Sequence, residues 1–229
     1  LDADFLSQDP SVAEKILRSL TEKEIQSVIA LPKILRLRDG QYLEKLRKLL
    51  LENLAYINGF QAANMEHIAL LKQWNFTGKE IYGDHSLYLW NRTSRDFWKA
   101  FLDGYCLPLE LNAAEQREKV IYGRIPMMVT ANCVQKTTDR CQPQENPKAL
   151  DLIDRYHKRF PVQRNCTHCF NVIYNSVPLS LHKELCKWSG LVTGRLDFTT
   201  ENETETLEVL EYFAGTRKEL PGHEKRGVE

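Results

Sequence analysis

The sequence predicts an α/β protein built from repeated βα units around a parallel sheet. Three observations predict it. Short apolar runs rich in β-branched and aromatic residues recur from residue 27 to residue 130. Each run ends in polar or turn-forming residues, and most lead into a segment whose apolar residues recur at helical spacing. The resulting strand, loop and helix return at spacings of roughly 25 residues, the rhythm of parallel βαβ units.

Taken in order, residues 1–24 are charged and helix-prone, and Thr21-Glu22-Lys23-Glu24 matches a loose capping box. Ser27 to Leu31 reads as a short strand closed by Pro32. After the turn at Asp39-Gly40, Tyr42 to Leu54 reads as a helix on the spacing of Leu43, Leu46, Leu49, Leu50 and Leu54. Ala55 to Phe60 is the next strand and Asn64 to Trp74 the next helix. Glu80–Asp84 and Ser86–Trp90 form a strand region, followed by a helix over Asn91–Leu102 capped near Thr93 or Ser94. Tyr105 to Leu111 is a further strand and Ala113 to Glu118 a short helix. Val120–Tyr122 and Ile125–Thr130 bring the chain to Cys133.

Residues 134–150 are polar and proline-containing, so they read as a loop. Leu150–Arg155 leads into a short extended segment at Phe160–Val162, and Asn171–Asn175 reads as a strand followed by a turn at Pro178–Leu181. Gly194 to Thr199 is a closing strand, Glu201 to Phe213 an amphipathic helix, and the tail from Gly215 is basic and glycine-rich. Right-handed crossovers place the C-terminal ends of parallel strands on one side, where barrels and open sheets carry their chemistry. Pro32, Arg36, Asn58, Asn91, Glu110 with Asn112, and Thr130 with Asn132 fall at those ends. Each also reads as an ordinary turn or cap residue.

Bulk properties narrow the function classes. With 42% hydrophobic and 27% charged residues over 229 positions, the chain has the composition of a soluble domain with a real core. Its formal net charge is zero and its pI about 7.2, so no global field steers it toward nucleic acid, although local basic clusters remain. No apolar run reaches the roughly 18 residues that span a bilayer, and no signal peptide is visible. A cytoplasmic protein with reduced cysteines is expected, and disulfides are the rival reading. The sequons at Asn75, Asn91, Asn165 and Asn202 then carry no weight. Because the chain opens on Leu1 rather than Met, a fragment or processed product is expected.

The densest chemistry lies between Ile125 and Leu181. Cys133, Cys141, Cys166 and Cys169 are separated by seven, twenty-four and two residues. Four thiolates suit zinc or an iron–sulfur cluster, although these spacings match no common ferredoxin or zinc-ribbon pattern. Cys186 is a reserve ligand, and Cys106, within an apolar run, reads as an inert core thiol. His168 reads first as a solvated loop histidine, with a ligand or acid–base role as the alternative. Arg155 and His157 belong to a basic cluster that reads by default as a solvated face, with contact to phosphate or another anionic substrate as the alternative. Arg195 and Asp197 alternate with Leu196 and Phe198, so both fall on one side of a strand. No G-x-S-x-G, H-E-x-x-H, P-loop or G-x-G-x-x-G motif is present. A cysteine nucleophile is conceivable, but the clustering favours ligation.

These stretches also carry a resemblance. Pro126–Cys133, then Asp154-Arg155 before Phe160-Pro161-Val162, then Cys166–Asn171 with Ile173–Ser176 and Pro178-Leu179, resemble the collagenase-like peptidase family known as family U thirty-two. Arg195–Thr199 and Gly222–Gly227 resemble that family's closing segments. The likeness covers most of the chain, with specific motifs from about Tyr122 onward, and resembles the C-terminal part of a longer member. It implies a partial or complete TIM-barrel-like parallel sheet with a Cys-rich insertion. It also implies two activities: cleavage of collagen-like substrates, or iron–sulfur-dependent, oxygen-independent hydroxylation of RNA bases or a small aromatic.

The combined expectation divides the chain into βα repeats over residues 1–132, a Cys-rich metal or cluster segment over 133–190, and a closing strand, helix and tail over 191–229. Cys133, Cys141, Cys166 and Cys169 are the expected ligands of an iron–sulfur cluster, with zinc as the alternative. Asn112, Asn132, Arg195 and Asp197 are the expected catalytic groups, and Arg155 and His157 the substrate-binding ones. Expected partners are the missing N-terminal half and an RNA or peptide substrate, with no membrane. A peptidase and a non-catalytic zinc or RNA-binding module stay open as alternatives.

Overall fold

In the computed structural model, two aspartates shape the first 22 residues. Asp2 Oδ1 accepts from the backbone N–H groups of Asp4 and Phe5 and opens α1 (Ala3–Gln8). Asp9 Oδ1 caps α2 (Pro10–Glu22) in the same way, and Pro10 stands where a helix leaves its N–H unused. The capping pattern at Thr21–Glu24 does not open a helix. Thr21 Oγ1 donates back to Leu17 O inside the last turn of α2, and Glu24 beyond it has a left-handed φ of 58°. The pattern lacked the helical apolar run that a working cap must precede.

The structure describes residues 1–76, 78–111, 117–133, 136–137, 141, 150–185 and 193–216. Contacts divide the chain into two compact units: Leu1–Asn112 with Arg117–Lys119, and Ala113–Gln116 with Val120–Glu229. The boundary expected at Cys133 therefore runs inside the second unit. No helix among the described residues is long and apolar enough to cross a membrane.

The first unit is mixed α/β with a parallel sheet. Strands β1 (Val28–Ala30), β2 (Gly59–Ala62), β3 (Glu80–Gly83) and β4 (Gly104–Tyr105) lie side by side in chain order, all parallel. Parallel bridges Asp2↔Ala30 and Cys106↔Glu118 extend the pairing on either side. Helices α3 (Gly40–Glu52), α4 (Met65–Trp74) and α5 (Arg92–Trp98) fall between successive strands. The predicted stripe of α3 buries Leu46, Leu49 and Leu50, and α4 buries Ile68, Leu71 and Trp74, in one core with Ile29, Phe60 and Ala62. Each such side chain contributes about 2 kcal/mol of burial.

Several elements differ from their sequence reading for local reasons. Leu54–Tyr56 is a 3-10 turn, and the strand begins only at Gly59, where a Cβ would lie 2.7 Å from the Glu80 carbonyl oxygen. Asn58 is consequently at the N-terminal end of β2, with Oδ1 accepting from Ser27 N at 2.8 Å. Within Ser86–Trp90 there is no strand. Asp84 accepts from Ser86 N and Ser86 Oγ and sets a 3-10 turn over His85–Leu87 instead. Asn91 caps α5, which stops at Trp98 rather than Leu102. The strand expected over Tyr105–Leu111 contracts to Gly104–Tyr105 and the bridge at Cys106, because Pro108 cannot donate to a ladder.

The second unit holds two sheets. One has the order β10–β5–β11, where β5 is Glu118–Gly123, β10 is Leu179–Ser180 and β11 is Thr193–Asp197. Ile121, Leu179 and Leu181 form its small core, joined by Leu185 of α6 (His182–Leu185) and Phe213 of α7 (Glu203–Phe213). The other has the order β6–β9–β8–β7, all antiparallel, from β6 (Pro126–Thr130), β7 (Leu150–Ile153), β8 (Arg159–Asn165) and β9 (Phe170–Tyr174).

The expected Cys-rich insertion does not stand apart. Its described residues are the strands and turns of an antiparallel sheet whose edge strand β6 precedes Cys133. Pro161 and the polar run Gln163–Asn165 hid the length of β8 from a pattern search. Asn112, Cys186, most of the loop expected over 134–150 and the tail beyond Thr216 lie outside the described residues, as does most of the helix expected over Ala113–Glu118. Glu118 itself opens β5.

Candidate metal centre

The cysteines are positioned by the register of the antiparallel sheet. On β9, Asn171 stands opposite Thr130 of β6 and opposite Arg164 of β8. The pair Asn165↔Phe170 closes the β8–β9 hairpin, so Cys166-Thr167-His168-Cys169 is its four-residue turn. Cys133 follows Thr130 by three residues at this same end. Three of the four predicted ligands therefore share one end of one sheet.

Local hydrogen bonds set that end. Asn165 Oδ1 accepts from His168 N at 2.8 Å and tightens the turn. Cys169 adopts a left-handed φ of 53°, with its Sγ 3.8 Å from the Cys166 carbonyl oxygen. Across the sheet, Asn171 Nδ2 donates to Asn132 O at 3.0 Å, and Asn132 N donates to Thr130 Oγ1 at 3.1 Å. Thr137 N and Oγ1 both donate to Cys133 O, at 3.1 and 3.0 Å. The peptide carrying Cys133 is thus held from both sides in sequence.

Accessibility separates the groups. Cys166, Cys169 and Cys141 are exposed, Cys133 is half-buried, and Cys106 is buried in the core. His168 is fully buried, not the solvated loop histidine expected from the sequence. The turn folds its imidazole inward while leaving the thiols on either side outside. Among the described residues, no three His, Cys, Asp or Glu side chains converge closely enough to hold a metal ion as they stand. Thiol sulfurs are nonetheless the donor type that soft metals take. The turn thiols are accessible, Cys133 shares their end, and Asn171, only 1% exposed, keeps an unpartnered Oδ1 beside them.

The remaining predicted groups lie elsewhere. Arg155 and His157 occupy the β7–β8 turn, at the opposite end of β8 from the cysteines. Asp154 Oδ1 accepts there from Tyr156 N and Lys158 N, His157 has a φ of 62°, and the Arg155 guanidinium lies 4.7 Å from the centre of the Tyr156 ring. Seven residues of strand span roughly 20 Å, so these groups and the thiols do not line one pocket. Asn132 does join the thiol end, but through its backbone.

Arg195 and Asp197 are on β11, in the other sheet. The sequence put them on one side of a strand, and they meet there. Arg195 Nε is 2.9 Å from Asp197 Oδ1, and Nη2 donates to Oδ2 at 3.1 Å. The ion pair, with its one hydrogen bond from Nη2, sets the two charges against each other. Nearby, Tyr122 OH donates to Glu201 Oε1 at 3.1 Å, and burial together with that carboxylate pushes the phenol well above its ordinary range.

Two polar arrangements in the first unit escaped the sequence reading. His67 is fully buried. Its Nδ1 accepts from Ala63 N at 3.1 Å, which leaves Nε2–H to donate to Pro32 O at 2.9 Å. Burial holds its pKa below the usual histidine value. Lys119 is also fully buried, with Nζ donating to the carbonyls of Leu111, Leu109 and Pro108 at 2.6, 3.3 and 3.4 Å. A lysine inside an apolar strand was the available signal. Compared with known protein families, curated proteins and solved structures, the chain matches none.

Proposed function

We propose that the antiparallel sheet carries a thiolate metal centre in which Cys133, Cys166 and Cys169 are ligands and Cys141 is the fourth. The reading rests on one observation above all: strand register delivers Cys133 to the sheet end that bears the Cys166–Cys169 turn. An iron–sulfur cluster is the preferred occupant, and zinc the alternative. When bound, a cluster supplies electron transfer or substrate activation, whereas zinc supplies a structural cross-link. The chain's own part is to fix the ligands. Asn165 shapes the turn, Asn171 holds the peptide before Cys133, and buried His168 packs the turn against the sheet.

The parallel βα units are read as part of a TIM-barrel-like sheet, in keeping with the resemblance to the collagenase-like peptidase family. Within that resemblance, the thiol end favours the cluster-dependent members over the peptidases, because peptide hydrolysis needs no set of clustered thiolates. The proposed activity is therefore oxygen-independent hydroxylation or related modification of an RNA base or a small aromatic, by a cytoplasmic enzyme of which this chain is one part.

Metal content and the visible spectrum of anaerobically purified protein test the proposal, with Cys133→Ala and Cys169→Ala alongside. Iron with broad absorbance near roughly 400 nm, lost in both variants, is the expected result. Zinc lost in both variants would make the centre structural. Wild-type protein that takes up neither metal, even after reconstitution with reduced thiols, overturns the centre.

A further inference from the structure

The two faces of the parallel sheet in the first unit differ in kind. Strand alternation sends Ile29, Phe60, Ala62 and Ile81 to one face, where they pack in the core that α3 and α4 complete. The opposite face carries Val28, Ala30, Gly59, Gln61, Glu80, Tyr82 and Gly104, and none of these joins that core. Register sets them in two rows, Val28–Gly59–Glu80 and Ala30–Gln61–Tyr82–Gly104. The second row lies toward the C-terminal ends of the strands, the end at which parallel sheets hold ligands.

One ring dominates this face. A Cβ at Gly59 would stand 3.1 Å from Tyr82 Cε2, and one at Gly104 would stand 2.9 Å from Tyr82 Cδ1. One edge of the ring therefore reaches over β2 and the other over β4, so the ring lies along the sheet. Its hydroxyl donates to Glu80 Oε2. That bond first, then burial and the charges of Glu80, Asp103 and Glu118, push the phenol up to about 12 and keep the ring neutral. Beside it, Gln61 Nε2 donates to Asp84 Oδ1 at 3.1 Å. Asp84 is almost fully buried, and its other oxygen is held by Ser86. The carboxamide is thereby fixed, and its Oε1 makes no hydrogen bond among the described residues. Gln61 and Tyr82 are half-buried and Glu80 is exposed, so ring, amide and carboxylate can all be reached.

Chemistry and size select the occupant. The two rows offer an aromatic face, an amide oxygen and a carboxylate, and they include no Lys or Arg. Together these attract a cation that also donates hydrogen bonds. Two rows across four strands span about 7 Å by about 14 Å. That is the footprint of one ring-sized molecule, whereas a stable protein interface takes roughly 800 Å² from each partner. We propose that this face binds a small planar cation of the amidinium or guanidinium class, stacked on Tyr82 and donating to Gln61 Oε1 and Glu80. The site belongs to the first unit and does not depend on the thiolate centre.

Benzamidine titrated into the full chain and followed by backbone amide NMR shifts tests the site, with benzamide as the neutral isostere. Benzamidine is expected to bind saturably and at least about tenfold more tightly than benzamide, with shifts centred on β2 and β3. Glu80→Gln keeps an acceptor for the Tyr82 hydroxyl but removes the charge, and is expected to bring the two probes within about threefold of each other. Tyr82→Leu is expected to weaken benzamidine binding about fivefold. Wild-type protein that does not saturate with benzamidine, binds both probes equally, or shifts mainly outside β2 and β3 overturns the site. Should Tyr82→Leu fail to fold, the exposed Glu80 position carries the test, and a Glu80→Gln variant with the full preference for benzamidine overturns it equally. No metal is added, so this result stands apart from the fate of the thiolate centre.

Discussion

Asn171 Nδ2 donates to the Asn132 carbonyl across 3.0 Å, so one side chain of β9 holds the peptide that delivers Cys133. The same carboxamide is almost fully buried and leaves its Oδ1 unpartnered. One half of the group supports the fold, and the other half costs it stability.

That asymmetry predicts an order among variants. Asn171→Leu loses one hydrogen bond but also removes the orphaned acceptor, so its net cost is about 1 kcal/mol or less. Asn171→Asp sets a buried carboxylate against the Asn132 carbonyl and is expected to cost about 3 kcal/mol at neutral pH. Urea unfolding of both variants checks the order, and equal losses would contradict it.

His67 predicts a pH dependence. Its folded pKa lies below the unfolded value because burial disfavours the imidazolium. The unfolded chain therefore takes up the proton first as pH falls. The stability tied to neutral His67 is complete above about pH 6.5 and declines as pH drops below it toward the folded pKa. Urea midpoints should fall for wild type between about pH 7.5 and about pH 5. His67→Gln, lower throughout, should show a flatter profile; parallel profiles would exclude His67 as the source.

Lys119 predicts a large effect from one surface-type residue in a core. Lys119→Met keeps much of the stem but removes the ammonium from the Leu109 and Leu111 carbonyls, while Pro108 O keeps its bond from Leu111 N. A loss of about 3 kcal/mol or more is expected from chemical denaturation. A change below about 1 kcal/mol would mean that water replaces the ammonium.

Gly123 predicts strain at the edge of Asp197. Its φ is 147°, and a Cβ there would stand 2.7 Å from the Asp197 carbonyl oxygen and 2.8 Å from Asp197 Cβ. Gly123→Ala is expected to cost about 2 kcal/mol or more. Hydrogen exchange should show the opening concentrated in β5 and β11 rather than across the molecule.

How much of this was legible before the structure depends on what each residue answers to. The leucine stripe of Tyr42–Leu54 and the cap at Asn64 are set by neighbours within one turn of helix, so α3 and α4 could be read directly. Asn58 could not be placed, because the start of β2 is decided by the close approach of Gly59 to a strand twenty residues on. The Cys-x-x-Cys turn was visible as a motif, but the burial of His168 between its thiols depends on how β8 and β9 pair. Arg155 and Arg164 look alike in sequence. Only the register shows that one lies at the far turn and the other beside the cysteines.

The order of the parallel sheet has a consequence for how the first unit forms. Strands β1 to β4 stand in the order in which they are synthesised, and each pairs with its immediate predecessor. Every new strand therefore finds its place after closing only a short loop, which keeps the entropy of each step small. No strand must wait for a distant partner. The first unit can grow outward from β1 as the chain leaves the ribosome, each helix covering the strand before it while the next is still being made.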